Sequence, residues 1–344
     1  MRTIALGTVS LMLLSACTPD AGLGTPPVNA EVHPLAGSYQ VVSQFSVPAA
    51  AAAPGPLGDA LGLVHGLAVN PAGALLDLAE DAGVPALGTI RSVLPDALQG
   101  ELEGWMNAFL ETATVGGSTP HDDLVALDAL IRSVLLDWEL RSELELLTPA
   151  PGRHTPKAIA FHATGEPLVI PVDATAPVAA ATGVYANVSW VEGQDGPAKL
   201  SVGDHAMGVP FGRYARQALA ILLEAQYGVP DVRAVLAGAV DCAAMAESVG
   251  ARCVGFVCVG HETELAAVCE GGLDEAAAQV EARILALDYK AIHLQAGTAT
   301  AEGVAVDPAS EIATAERFAG GVWTASVDLG QGEEEASATF VAAR

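Results

Sequence analysis

Two hydrophobic periods alternate along this chain. Residues 37–47 read GSYQVVSQFSV. Tyr39, Val41, Phe45 and Val47 fall on one face, and Ser38, Gln40, Gln44 and Ser46 fall mostly on the other. That period of two predicts a half-buried strand. From Leu57 to Asp137 the period becomes helical. Leu124, Leu127, Ile131, Val134 and Trp138 recur at three- and four-residue steps. Helices are expected near 57–69, 73–82, 87–112 and 121–137, separated by Pro71, Pro85 and Gly116-Gly117-Ser118. Alternation then returns. Trp138, Leu140, Ser142, Leu144 and Leu146 oppose Glu139, Arg141, Glu143 and Glu145, which predicts a strand over 138–147. Further strands are expected near 157–164, 167–172, 183–191 and 198–206. An amphipathic helix follows from Phe211 to Tyr227, stopped by Gly228 and Pro230, and helices continue to about Leu287. The last part alternates again, near 288–296, 298–306, 310–317, 322–329 and 335–343. Gly297, Gly320-Gly321 and Gly330-Gln331-Gly332 look like hairpin turns between these strands.

The strands cluster instead of alternating with helices, so the class is α+β. The first strand needs a partner, and the last one, near 335–343, is the obvious choice. Pairing first with last removes two open edges. The expected architecture is an antiparallel barrel-like or strongly coiled sheet with two helical insertions, about 57–137 and 211–287. It forms a single domain over residues 37–344.

The N-terminus has a different character. Met1-Arg2 supplies one positive charge, and residues 4–14 form an apolar run too short for a bilayer core that needs roughly 20 residues. Leu14-Ser15-Ala16-Cys17 closes it. This run resembles a bacterial lipobox, the signal that has a cysteine acylated and made the new N-terminus. The resemblance implies a signal peptide over 1–16, palmitate-type acyl chains on Cys17, and export to the periplasm. Thr18 follows the cysteine where an Asp would retain the protein in the inner membrane, so the implied address is the outer membrane. Residues 17–36 contain Pro19, Pro26, Pro27 and Pro34 and read as a disordered tether. The whole chain resembles the large, functionally uncharacterised lipoproteins of Gram-negative bacteria, a likeness that carries over no site residues.

The formal net charge is −26, from 41 acidic and 15 basic residues. Such a surface argues against nucleic acid and against docking on anionic lipid. Of five cysteines, Cys17 is assigned to lipid. The others, Cys242, Cys253, Cys258 and Cys269, lack the two-to-four-residue spacing of zinc ligands and the Cys-x-x-Cys of redox pairs. In an oxidising compartment they imply two disulfides. Residues 241–250 and 261–269 read as antiparallel helices. Eleven helical positions span about 16 Å, whereas a disulfide needs Cα atoms within about 7 Å. Sequential pairing is thereby excluded, and nested bridges follow: Cys242 with Cys269, and Cys253 with Cys258.

Catalytic motifs are missing. His261-Glu262-Thr263-Glu264 begins like a zinc-protease motif, but Leu265 stands where the second histidine belongs. No Gly-x-Ser-x-Gly pentapeptide occurs. Asp122-Asp123 and Glu333-Glu334-Glu335 lack a calcium-loop pattern and read as a helix start and a polar hairpin. Nothing in the chain implies a cofactor or metal. Gly37-Ser38-Tyr39 and Gly321-Val322-Trp323 weakly resemble the Gly-x-Trp strand signature of lipocalin-like barrels, though here the tryptophan sits on a late strand.

Three functions compete. The first is a non-catalytic lipid-anchored protein with a structural or partner-binding role. The second is a carrier of a hydrophobic ligand in the sheet. The third is a hydrolase without a local motif, using His205, beside Asp204, or His162 with a carboxylate.

Overall fold

The computed structural model describes residues 29–46, 55–114, 117–148, 150–163, 165–172, 179–191, 196–255, 257–287, 290–328 and 333–344. The implied signal peptide, Cys17 and most of the expected tether lie outside the described residues. The end of the segment expected to be a tether is ordered instead. Glu31–Pro34 forms a strand, β1, and Leu35 beyond it is buried.

The order of elements is the expected one: strand, helices, strands, helices, strands. After β1 comes β2 (Gly37–Ser46), then helices α1 (Pro56–Val69), α2 (Pro71–Asp81), α3 (Pro85–Val93), α4 (Asp96–Thr112) and α5 (Pro120–Leu136). Proline opens α1, α2, α3 and α5, where its fixed φ suits the first turn and its missing N–H costs nothing. Thr119 and Asp122 add a capping box to α5. The helix expected over 87–112 is two helices, because Pro95 cannot donate within a helix and pushes Leu94 to an extended conformation.

The middle strands are β3 (Asp137–Leu146), β4 (Gly152–Phe161), β5 (Leu168–Pro171), β6 (Ala181–Val184), β7 (Ala186–Trp190), β8 (Ala198–Val202) and β9 (His205–Val209). Helices α6 (Phe211–Tyr227), α7 (Val232–Ala239) and α8 (Cys242–Gly250) follow. A two-residue-strand hairpin, β10 (Cys253–Val254) and β11 (Val257–Cys258), leads to the long α9 (Glu262–Leu285). The chain ends with β12 (Lys290–Glu302), β13 (Ala305–Asp307), β14 (Ile312–Thr314), β15 (Arg317–Asp328) and β16 (Glu333–Ala343).

The sheet is larger and its late strands longer than expected. It has 12 strands in antiparallel pairs, in the order β1-β7-β8-β12-β15-β16-β2-β3-β4-β5, with β6 on β4 and β9 on β12. First and last strands pair as anticipated, from Ser46 opposite Ser337 to Gln40 opposite Ala343. Gly297 and Gly320-Gly321 are not turns but lie within β12 and β15. A Cβ on Gly297 would collide with the Trp323 ring, and one on Gly321 with the Phe340 ring. These glycines are seats for aromatic rings. The hairpin expected at 330–332 is bracketed by the Asp328–Glu333 pair, and its own residues lie outside the described ones.

The two helical insertions pack on each other. α9 is the axis, touching α1, α2, α3, α6, α7 and α8. Gly272 lets the α2 backbone approach, since a Cβ there would meet the Leu75 carbonyl oxygen at 2.6 Å. Trp138 ties sheet to helices. It stacks on Phe45 at 4.9 Å and meets Phe211, the first residue of α6, at 4.8 Å. One continuous apolar core runs through both layers.

Candidate functional site

The inner row of β3 is Trp138, Leu140, Ser142, Leu144 and Leu146, as its alternation predicts, so Ser142 is a hydroxyl among leucines, 1 % exposed. Opposite it, β4 carries a bulge. Arg141 pairs with Ala158 but Ser142 with Pro156, leaving Lys157 as the extra residue. Proline is tolerated there because a bulge interrupts the ladder. The bulge also reverses which positions face inward. Ile159 and Phe161 are buried on one side of it, Pro156 and His154 on the other. Without it, Arg153 and Thr155 would point into the core. His205 comes from another strand, as the first residue of β9, which continues β8 along β12 after a break at Gly203-Asp204.

These three side chains form one chain of contacts. Ser142 Oγ lies 2.7 Å from His154 Nε2, His154 Nδ1 lies 2.9 Å from His205 Nε2, and His205 Nδ1 lies 2.8 Å from the Gly203 carbonyl oxygen. A carbonyl only accepts, so the chain of hydrogen bonds has one solution for neutral rings. His205 donates from Nδ1 to Gly203. Its Nε2 accepts from His154 Nδ1–H. His154 Nε2 then accepts from the Ser142 hydroxyl. The Val41 carbonyl, 3.5 Å from Ser142 Oγ, is left without that proton. Trp323 closes the space beside the rings, 5.8 Å from His205 edge-on and 6.2 Å from His154. It stacks on Phe340 at 4.4 Å and donates from Nε1 to Ser43 Oγ at 3.1 Å.

Burial pushes the His154 imidazole down to about 3, and the neighbouring His205 ring adds to this. His205 is lowered too, chiefly by burial and slightly by His293. Its bond to Gly203 and the charge of Asp204 oppose the shift. Both rings are therefore neutral at ordinary pH. In chemical terms this is a hydroxyl, a base and a group that orients the base, the arrangement of nucleophilic catalysis. Ser142, His154 and His205 are at the same time 1 %, 0 % and 7 % exposed.

The two histidines singled out from sequence stand apart in role. His205 turns inward to His154 and does not use Asp204, which instead meets His293 Nε2 at 2.5 Å. His162 follows β4 and faces Glu139 at 3.4 Å without hydrogen-bond geometry. Asp122 is the capping-box acid, and Asp123 accepts from Ser118 at 3.0 Å. His261 stands before α9 with positive φ and faces Glu264 at 3.8 Å. Among the described residues no group of three or more His, Cys, Asp or Glu could hold a metal ion.

The cysteines pair as nested bridges. Cys242 joins Cys269 with Cα atoms 5.6 Å apart, and Cys253 joins Cys258 across the β10–β11 hairpin, where they are direct partners. The first bridge is buried between α8 and α9, and the second is exposed. A groove of about 620 Å³ runs along α6, α7 and α9, rimmed by the ion pairs Arg216–Glu281 and Arg233–Asp274. Among the described residues no helix is long and apolar enough to cross a membrane.

The relay Ser142–His154–His205 was not anticipated. The signal available was a serine in the apolar row of β3, but nothing local announces its partners. Comparison with protein-family models, with curated proteins and with solved structures finds no match.

Proposed function

We propose that this chain is a non-catalytic lipoprotein, anchored in the bacterial outer membrane through acyl chains on Cys17. Its folded part faces the periplasm or the cell surface and serves as a structural or partner-binding element. The observation that carries the reading is the nested pair of cystines, Cys242–Cys269 and Cys253–Cys258. Such bridges persist in oxidising compartments and are rare in the cytosol. They agree with the address that Leu14-Ser15-Ala16-Cys17 implies.

The sheet belongs to this reading as a barrel-like, strongly coiled layer. β6 pairs with β4 and β7 with β8, and Tyr185 alone separates β6 from β7. The path through β8, β12, β15, β16, β2 and β3 thereby comes back to β4. Its inward positions are taken by Tyr39, Phe161, Phe318 and Trp323, each below 2 % exposed. That filling favours a packed core over a carrier's cavity. Fractionation of a Gram-negative host expressing the full chain tests the reading. Recovery in the outer membrane, released by detergent and carrying both bridges, is expected. Recovery in the cytosol with four free thiols contradicts it.

A second reading has one observation in its favour. Ser142, His154 and His205 have the order and spacing of nucleophile, base and orienting group in acyl-transfer enzymes. A fluorophosphonate probe decides between the two. Labelling lost in Ser142→Ala supports a hydrolase, and absence of labelling at Ser142 supports the non-catalytic reading.

A further inference from the structure

β4 and β9 lie side by side, yet no backbone ladder joins them among the described residues. β4 is bonded to β3, β5 and β6, and β9 to β12. Backbone bonds tie β9 to the β6 segment, from the Gly208 N–H to the Ala179 carbonyl before β6 and from the Gly203 N–H to the Tyr185 carbonyl after it, and in the interior between them the side-chain link of β4 to β9 is the contact of His154 Nδ1 with His205 Nε2. This bond has a single proton between its two nitrogens. It holds only while one ring donates and the other accepts. If His205 takes up a proton at Nε2, two N–H groups face each other at 2.9 Å. If His154 is protonated at Nε2, it loses the lone pair that receives the Ser142 proton, and Ser142 must turn toward Val41.

Few groups nearby could absorb the added charge. β3 presents neutral Ser142, and β15 presents the neutral Trp323 ring. From the break between β8 and β9, Asp204 acts on His205, but its carboxylate is exposed and engaged by His293 of β12, which opposes it. Two leading causes, burial and the neighbouring imidazole, hold His154 in the neutral form.

We infer that the His154–His205 contact is an acid-opened latch between β4 and β9. Protonation parts the strands and admits water to the interior beside Trp323, while the ladders of β2, β3 and β16 stay closed. The inference does not depend on the anchor or on the proposed role. A domain outside the cytoplasm would meet the pH of the medium, which gives such a latch something to sense.

The coupling has a definite size. In the opened seam a histidine regains its ordinary pKa, about 6.5. Below that value, opening is favoured up to about tenfold per pH unit for each histidine it frees. Two units of acidification therefore raise opening up to about 100-fold through His154 alone.

Amide hydrogen exchange on the full chain tests this, read as protection factors at pH 7 and pH 4.5 so that the intrinsic pH dependence drops out. Protection in β4 and β9 should fall by tenfold or more, and at pH 4.5 it should lie at least about tenfold below that of β2 and β16, whose amides wait for global unfolding. The variant His154→Phe, which cannot take a proton, should lose that selective acid response. Equal protection in all four strands at pH 4.5, or no fall in β4 and β9, overturns the inference. So does a selective response that survives in His154→Phe. Should that variant fail to fold, the strand pattern of the unaltered protein decides alone.

Discussion

At the scale of residues, the structure turns on one buried polar relay and on glycines that receive rings. His154 titrates near 3 when folded and near 6.5 when unfolded. A lowered pKa means the unfolded chain binds more protons between those values. Stability is then complete above about pH 6.5 and is lost as the pH falls toward 3, by up to about 1.4 kcal/mol per unit. Chemical denaturation between pH 7 and 5 should show this slope, above the range in which carboxylates titrate. His154→Phe should lower stability at pH 7 and flatten the slope. An unchanged slope would contradict the assignment. Ser142→Ala removes the donor to His154 Nε2 and leaves that nitrogen buried and unbonded, which should cost about 1–3 kcal/mol in urea melts. Ser142 was legible as an inward position of β3. Its partners were not, because they come from two other strands and one is aimed by a bulge. The period of β4 runs one way before Lys157 and the other way after it, so a single alternation never covers that strand.

At the scale of elements, strands with one polar and one apolar face were readable, and so were helices opened by proline. β3, β2 and α5 fall within a residue or two of their expected ends. Gly297 and Gly320-Gly321 imitate turns and make β12 and β15 read short, and the rings lying over Gly297 and Gly321 are what tell these positions from turns. The pairing of β2 with β16 was inferred from edges alone. β16 also pairs with β15, so deleting residues 335–344 strips two neighbours at once. The truncated chain should lose its cooperative melt, and an unchanged melting temperature would refute the topology. The nested bridges rest on helix rise. Peptide mapping without reductant should recover Cys242 with Cys269 and Cys253 with Cys258. Loss of the longer-loop bridge should cost about 2–4 kcal/mol, more than loss of the shorter. Fragments joining Cys242 to Cys253 would show that α8 and α9 are not antiparallel neighbours.

At the scale of the whole molecule, a 12-stranded sheet and a helical layer around α9 share one core beneath a strongly acidic surface. A net charge of −26 repels an anionic bilayer, so in the proposed arrangement the hold on the membrane rests on the acyl chains of Cys17. Several acyl chains on one residue suffice, at about 0.8 kcal/mol per buried methylene. Everything in that arrangement turns on Cys17. Cells expressing the full chain, and the Cys17→Ser variant beside it, can be fed a palmitate analogue and fractionated. Label and membrane association are expected for the unaltered chain, and neither for Cys17→Ser. A Cys17→Ser protein that is still labelled and still sediments with membranes, or an unaltered chain that is never labelled, would contradict it.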